Sequence, residues 1–89
     1  MAGFTGMDIG QVRNLAAQMR QKAEEIEGIA NQLTQALNSA QWVGPDKQKF
    51  EGDWNSQYRQ QLRQVCDGLK QAAGIADQNA KQQEDASNA

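Results

Sequence analysis

The sequence predicts an all-α protein, an antiparallel two-helix hairpin with a Trp-x-Gly turn that dimerises into a four-helix bundle. Three observations support this fold class. Gln and Ala, which fit well in helices, outnumber the β-branched and aromatic residues that sheets favour. Apolar residues recur at alternating intervals of three and four along most of the chain. The only proline follows a glycine near the middle, where a first long helix is expected to end and a second to begin.

The first helix is expected over about residues 8–41. Asp8 is placed to cap it, and Gln11, three residues on, completes a capping box. A heptad pattern follows, with Ile9, Ala16, Ala23, Ala30 and Leu37 at its a positions and Val12, Met19, Ile26, Leu33 and Ala40 at its d positions. A helix of this extent is roughly 50 Å long, so the molecule is expected to be a rod.

The second helix is expected over about residues 45–80, after a turn at 42–45. Its apolar stripe comprises Phe50, Trp54, Tyr58, Leu62, Val65, Leu69, Ala72 and Ala76. The first four members recur every four residues, which indicates a local shift of the stripe near Trp54 and Tyr58 without a break. Beyond about residue 80 the apolar pattern stops, so residues 81–89 are predicted to form a flexible tail. The whole chain, 1–89, is expected to be a single domain.

Each helix carries more apolar surface than a two-helix pair can bury. A third apolar position lies beside each stripe, occupied by Leu15, Ile29 and Ala36 on the first helix and by Cys66, Ala73 and Ala80 on the second. Three apolar positions in seven are typical of a bundle. The hairpin is therefore expected to pair with another through a dimer or core seam formed by Val12, Met19, Ile26, Leu33, Phe50, Trp54, Leu62, Val65 and Leu69.

Composition and charge argue against several functions. The net charge of −2 provides no basic footprint for nucleic acid. No apolar run approaches the roughly 20 residues of a transmembrane span, and the first residues lack the pattern of a cleaved signal peptide. The sequence contains no His, the commonest general base and metal ligand, and no nucleophile–base pair or phosphate loop. We therefore expect no enzymatic activity, no cofactor and no metal site.

Between the predicted helices the chain reads Trp42-Val43-Gly44, and Phe50 and Trp54 follow at eight and twelve residues from Trp42. On these residues the chain resembles, over essentially its whole length, the WXG family of small early-secreted-antigen-like proteins of Gram-positive bacteria and mycobacteria. The resemblance implies a homodimer or heterodimer with another WXG-type protein, exported folded by a type VII (ESX-like) secretion system. It also implies that Trp42 and Gly44 form a recognition turn that the secretion ATPase reads together with the partner's C-terminal tail.

The chain departs from the family pattern in one respect. The family's tail signal is a Tyr followed four residues later by Asp or Glu, whereas the only tyrosine here is Tyr58, inside the second helix, with Leu62 four residues on. Two functions therefore stay open. The first is a secreted, non-enzymatic substrate or co-secreted partner, and the second is a cytoplasmic adaptor or targeting chaperone that binds the helical leader of a type VII effector or toxin.

Three of these residues also have simpler structural interpretations. Trp42 is a large hydrophobe that can close the end of the hairpin, and Gly44 can end a helix with a positive φ. Cys66 is either a small buried residue or one half of an intermolecular disulfide, which would need two copies of it to meet across the dimer.

Overall fold

The structure, a computed structural model, describes residues 6–88. It consists of α1 (Ile9–Ser39), α2 (Pro45–Asp53), a π-helical turn (Trp54–Tyr58) and α3 (Arg59–Asn88). The last three are continuous, so the chain has two long helical arms, and the second packs back along the first through α1 and α3. The molecule measures 65 × 17 × 15 Å. The prediction of an all-helical hairpin with a rod shape is confirmed.

The first arm begins where the capping pattern places it. Asp8 has an extended backbone, and its carboxylate accepts a hydrogen bond of 3.0 Å from the backbone N–H of Gln11. This satisfies one of the donors left unpaired at a helix N-terminus. The helix ends at Ser39, slightly before the predicted end at about residue 41, because the extended backbone of Ala40 turns the chain away.

The second arm begins at Gly44, which has φ of +136° and ψ of 178°. The predicted positive φ is confirmed. The sequence predicts Gly44 at the end of the first helix, whereas in the structure it caps the start of α2. Its carbonyl accepts the first helical hydrogen bond, 3.2 Å from the N–H of Gln48. Pro45 follows at the first helical position, where a missing N–H costs nothing.

Replacing Gly44 by alanine is expected to lower the free energy of unfolding by about 1–3 kcal/mol, because a side chain disfavours this backbone conformation. Gly68 provides the matched control. It lies exposed within α3, and a Cβ there meets nothing within 4 Å, so Gly68→Ala is expected to stabilise the chain by about 0.5–1 kcal/mol. Urea denaturation followed by circular dichroism measures both changes. Stabilisation by both substitutions would contradict the strain at Gly44.

The predicted shift of the apolar stripe near Trp54 and Tyr58 coincides with the π-helical turn. The N–H of Arg59 bonds to the carbonyl of Trp54, five residues back, so this turn contains an extra residue. Trp54 and Cys66 are twelve residues apart, which in an unbroken α-helix turns them about a third of a revolution away from each other. Because the π-helical turn accommodates one extra residue, the side chains of Trp54 and Cys66 lie on the same side of the second arm, where both are buried.

The two arms meet along a seam of mostly small residues, which are also the buried ones. The seam consists of Ala16, Ala23, Ala30 and Leu37 on α1 and of Cys66, Ala73 and Ala80 on α3, with Trp54 at its end near the turn. On the first arm these are the predicted a positions. On the second arm the prediction is corrected, because the expected centre of the stripe included Val65, which is 51% exposed. Small side chains occupy the line of closest approach because they let the helix backbones come together.

Cys66 belongs to this seam. It is 1% exposed, its thiol is free, and its Sγ donates a hydrogen bond of 3.4 Å to the carbonyl of Ala23 on the opposite helix. This environment agrees with the interpretation of Cys66 as a small buried residue.

The second arm is longer than its apolar pattern indicates. It continues to Asn88, so the segment expected to be a flexible tail is helical up to that residue, and residue 89 lies outside the described part. Ala80 is fully buried against α1, and Glu84 binds Arg13 across the hairpin. Lys81 and Asp85 pair along the helix at 3.0 Å. Polar contacts thus extend the helix after the apolar stripe has ended.

Candidate interaction surface

One edge of the hairpin is closed by a series of ion pairs between the arms, which we call the polar edge. It comprises Arg13–Glu84 at 3.0 Å, Arg20–Asp77 at 2.7 Å and Glu27–Lys70 at 2.7 Å. The pairs recur every seven residues on both arms and run in opposite directions, as an antiparallel hairpin requires. Each is about half exposed, so individually they contribute little to stability. The seven-residue spacing of these charges is visible in the sequence, although the apolar pattern alone does not draw attention to it.

The polar edge favours one register of the two arms. If α3 slipped by seven residues, Arg20 would face Lys70 in one direction, and Glu27 would face Asp77 in the other. Either slip places one like-charge pair together, which is unfavourable, although it also forms at least one opposite-charge pair. Of these three registers only the observed one makes all three pairs opposite in charge, so the ion pairs favour that register while adding little to the overall stability.

Two contacts of the polar edge also shift a pKa, that of Glu84 and that of Lys70. The hydrogen bond from Arg13, followed by its charge, holds the pKa of the Glu84 carboxyl below its ordinary value. The hydrogen bond to Glu27 in the same way raises the pKa of Lys70. A lowered carboxyl pKa means that the pair stabilises the fold above the ordinary carboxyl pKa and is lost as the pH falls through the lowered one. Both shifts favour the charged forms of Glu84 and Lys70 at neutral pH.

The opposite edge of the hairpin is apolar and uncovered in this single chain, and we call it the open face. It comprises Val12, Leu15, Met19, Ile26, Ile29 and Leu33 on α1 and Tyr58, Leu62, Val65, Leu69, Ala72 and Ala76 on the second arm. Leu15, Ile29, Leu33 and Val65 are each 51–53% exposed. The heptad register places one cation on this face, Lys22, which is paired with Glu25 at 3.0 Å. An exposed apolar surface of this extent is typical of an interaction site.

The structure separates the predicted dimer or core seam into three groups. Trp54 is buried within the hairpin. Five members are half-buried at the margin of the seam: Val12, Met19, Ile26, Leu62 and Leu69. Leu33, Phe50 and Val65 are 43–52% exposed, so about half of their surface is available to a partner.

An aromatic cluster lies at the turn end of the open face. The ring centroids of Trp42 and Phe50 are 6.5 Å apart, and those of Phe50 and Trp54 are 6.4 Å apart. Beside them is an apolar pocket of about 240 Å³. It is lined by Leu33, Ala36, Leu37, Phe50 and Trp54. The open face therefore ends in a concave site that an apolar side chain can fill.

Trp54 holds this end of the hairpin together. Its ring packs with Ala30 and Leu37 on α1, and its Nε1–H donates a hydrogen bond of 2.9 Å to the Thr34 hydroxyl. That hydroxyl in turn donates to the Ala30 carbonyl at 2.8 Å. The indole is therefore satisfied in both its apolar and its polar parts, as a buried tryptophan requires.

The predicted recognition residues Trp42 and Gly44 lie between the arms, in the segment 40–44. Trp42 is 44% exposed and rests against Phe50, so it is only partly used for packing. Val43 beside it is 96% exposed. The segment thus presents apolar side chains to solvent at the tip of the rod.

The fold and these surfaces define a helical hairpin with one closed polar edge and one open apolar face. Comparisons with protein-family models, with characterised proteins and with solved structures find no significant match to this chain. None of the helices formed by residues 6–88 is long and apolar enough to cross a membrane. Within the same residues, no group of three potential metal ligands among His, Cys, Asp and Glu comes together.

Proposed function

We propose that this chain is a non-enzymatic interaction protein that pairs with a second helical hairpin, and that it is a substrate or co-secreted partner of a type VII secretion system. The observation that carries the pairing is the open face. It runs along the hairpin on one side only, while the polar edge closes the other side with ion pairs. A second hairpin of similar length, laid along the open face, would complete a four-helix bundle.

The chemistry of the open face supports packing as its role. Its members are aliphatic residues and one tyrosine, which gain free energy when they leave water. Half-exposed Leu15, Ile29 and Val65 offer the large apolar area that a stable helix interface needs. The pocket of about 240 Å³ beside Trp54 offers a site for one partner side chain at the turn end.

The proposal of export depends on the Trp-x-Gly segment and on the shape of the molecule. Trp42 and Val43 are exposed at the tip of the rod, where a secretion ATPase can contact them. The folded hairpin measures 17 × 15 Å perpendicular to its long axis, so a bundle of two hairpins remains a narrow rod. Both features are compatible with transport of a folded protein.

A second function has one observation in its favour. The second arm continues as a helix to Asn88, and the tyrosine it carries, Tyr58, is followed four residues later by Leu62. Within residues 6–88 no Tyr is followed four residues later by Asp or Glu, which favours a cytoplasmic adaptor or targeting chaperone as the alternative. Its open face would then cover the helical leader of a secreted effector or toxin.

Trp42→Ala is expected to keep most of the protein inside the cell while leaving its helix content unchanged, because the side chain is partly exposed and lies outside the helices. The measurement compares the protein in culture supernatant and in cells, with circular dichroism of the purified variant. Val43→Ala is the matched control, since Val43 is more exposed and occupies the variable position of the Trp-x-Gly segment.

Three outcomes would argue against parts of this proposal. Normal export of Trp42→Ala would remove the recognition role of that residue. A proportionate loss of export and helix content would indicate that Trp42 serves packing. If the unmodified chain stays in the cytosol while another substrate of the same system is exported, the adaptor function replaces the secreted one.

A further inference from the structure

The series of ion pairs on the polar edge stops one step before the turn. The next position toward the turn lies seven residues after Glu27 on α1 and seven residues before Lys70 on α3. These positions are occupied by Thr34 and Arg63. Thr34 is neutral, and its hydroxyl already binds Trp54 Nε1 and the Ala30 carbonyl. Arg63 therefore has no carboxylate opposite it at the place where the three preceding pairs each have one.

A second arginine lies beside this gap. Arg59 lies seven residues before Cys66, at the same heptad position as Cys66, Ala73 and Ala80. Its Cα therefore lies along the seam, and its side chain is half-buried. Within residues 6–88, neither Arg59 nor Arg63 forms an ion pair or a side-chain hydrogen bond. A half-buried guanidinium without an acceptor is unfavourable, because it loses part of its hydration and gains no partner.

The two arginines line a cavity of about 360 Å³ between the arms. The cavity exists because Ala30 and Cys66, which also line it, are too small to fill the space next to the π-helical turn. Asn31 and Arg63 lie toward the polar edge, whereas Ile26 and Leu62 lie toward the open face. The volume is within the range of sites for small molecules.

We propose that this cavity binds a small carboxylate with an apolar chain, whose carboxylate takes the empty acceptor position between Arg59 and Arg63. Guanidinium groups bind carboxylates through paired, charge-assisted hydrogen bonds. The apolar chain of the ligand packs against Ala30, Ile26 and Leu62. The guanidinium groups of the site lie toward the polar edge, whereas its apolar lining shares Ile26 and Leu62 with the open face. The proposal rests on the two unpaired arginines and does not require the pairing proposed for the open face.

The remaining charges at the cavity agree with an anionic ligand. Glu27 also lines it, but its carboxylate is occupied by Lys70 at 2.7 Å. Asp67 is the other lining carboxylate, and it forms no ion pair in the described residues. Two unpaired arginines and one unpaired aspartate leave one excess positive charge, which a single carboxylate neutralises.

Calorimetric titration of the full chain with hexanoate tests the site, with acetate and inorganic phosphate as probes that lack the apolar chain. We expect saturable binding of hexanoate, and weaker binding of acetate and phosphate. Arg59→Gln and Arg63→Gln are each expected to weaken hexanoate binding by about tenfold or more. Asp67→Asn is expected to strengthen it, because a competing negative charge is removed.

Arg20→Gln is the matched control, since it makes the same change on the polar edge away from the cavity and should leave hexanoate affinity unaltered. Circular dichroism of each variant establishes that its helix content is retained. The proposal is overturned if hexanoate shows no saturable binding, or if Arg20→Gln weakens binding as much as Arg63→Gln does. Equal affinity for phosphate and hexanoate would also overturn it, because the apolar part of the cavity would then have no role.

Discussion

Replacing Trp54 by alanine is expected to lower the free energy of unfolding by about 3–5 kcal/mol. Trp54 is 6% exposed and is the largest of the buried side chains in the described residues. The rest of the seam is built mainly from alanines, whose short side chains cannot fill the space that Trp54 leaves. A domain of this size has a total stability of about 5–15 kcal/mol, so this substitution removes much of it. Urea denaturation followed by circular dichroism measures the change.

Two further variants separate the contributions of Trp54. Thr34→Val removes the acceptor of the indole N–H while keeping the shape of the side chain, and is expected to cost about 1–3 kcal/mol. Ile75→Ala is the control, because Ile75 is a large apolar residue that is 53% exposed and lies outside both the seam and the open face. We expect it to change stability by less than about 0.5 kcal/mol. A Trp54→Ala variant that is no less stable than Ile75→Ala would show that Trp54 does not hold the hairpin together.

The double substitution Leu33→Glu and Val65→Glu is expected to dissociate the paired form of this protein without unfolding the hairpin. Both side chains are about half exposed and lie on the open face, one on each arm. Glutamates there remain hydrated in the single hairpin, but they would be buried without partners between two hairpins. We expect the dissociation constant to rise by about two orders of magnitude or more. Light scattering at several protein concentrations measures the molecular mass.

Ile75→Glu provides the matched control for this experiment. Ile75 is 53% exposed, as much as Leu33 and Val65, but it follows buried Ala73 by two residues and so lies on the side of α3 away from α1. Its substitution is expected to leave pairing unchanged. A fully helical unmodified chain that stays monomeric at micromolar concentration would contradict pairing of this chain with itself. Equal dissociation by Ile75→Glu would contradict the assignment of the interface to the open face.

The hairpin itself could be predicted from the sequence because its signals are local. Asp8 and Gln11 mark the start of α1, and the heptads of the first arm identify Ala16, Ala23 and Ala30 as seam residues. Pro45 marks the start of the second arm. The four-residue spacing through Trp54 and Tyr58 indicated the shift that the π-helical turn produces.

The centre of the second arm was harder to predict because hydrophobicity and burial do not coincide there. A pattern of large apolar residues favours Leu62, Val65 and Leu69, but the closest approach of two helices requires small side chains, so Cys66 and Ala73 are buried instead. The end of α3 was missed for a related reason. The helix beyond the apolar stripe is accompanied by polar contacts, among them the one between Glu84 and Arg13, 71 residues apart in the chain, which apolar periodicity does not register.

The candidate surfaces were predictable only in part. The sequence indicated surplus apolar area and located Trp42 between the arms, but the division into an open face and a polar edge depends on how each helix is rotated about its axis. That rotation follows from which small residues meet in the seam. The cavity beside Arg59 and Arg63 depends on the packing around the π-helical turn, so no local sequence pattern predicts it.

The closed polar edge has a consequence for the stoichiometry of any assembly. A hairpin with adhesive surface on both sides could add further copies without limit, as strands do at the edges of a sheet. Here the ion pairs Arg13–Glu84 and Arg20–Asp77 occupy one side with half-exposed, hydrated charges. With the open face as the pairing surface proposed above, each hairpin offers one such surface. A partner that covers it leaves no equivalent surface for a third chain, so we expect growth to stop at two hairpins without forming filaments.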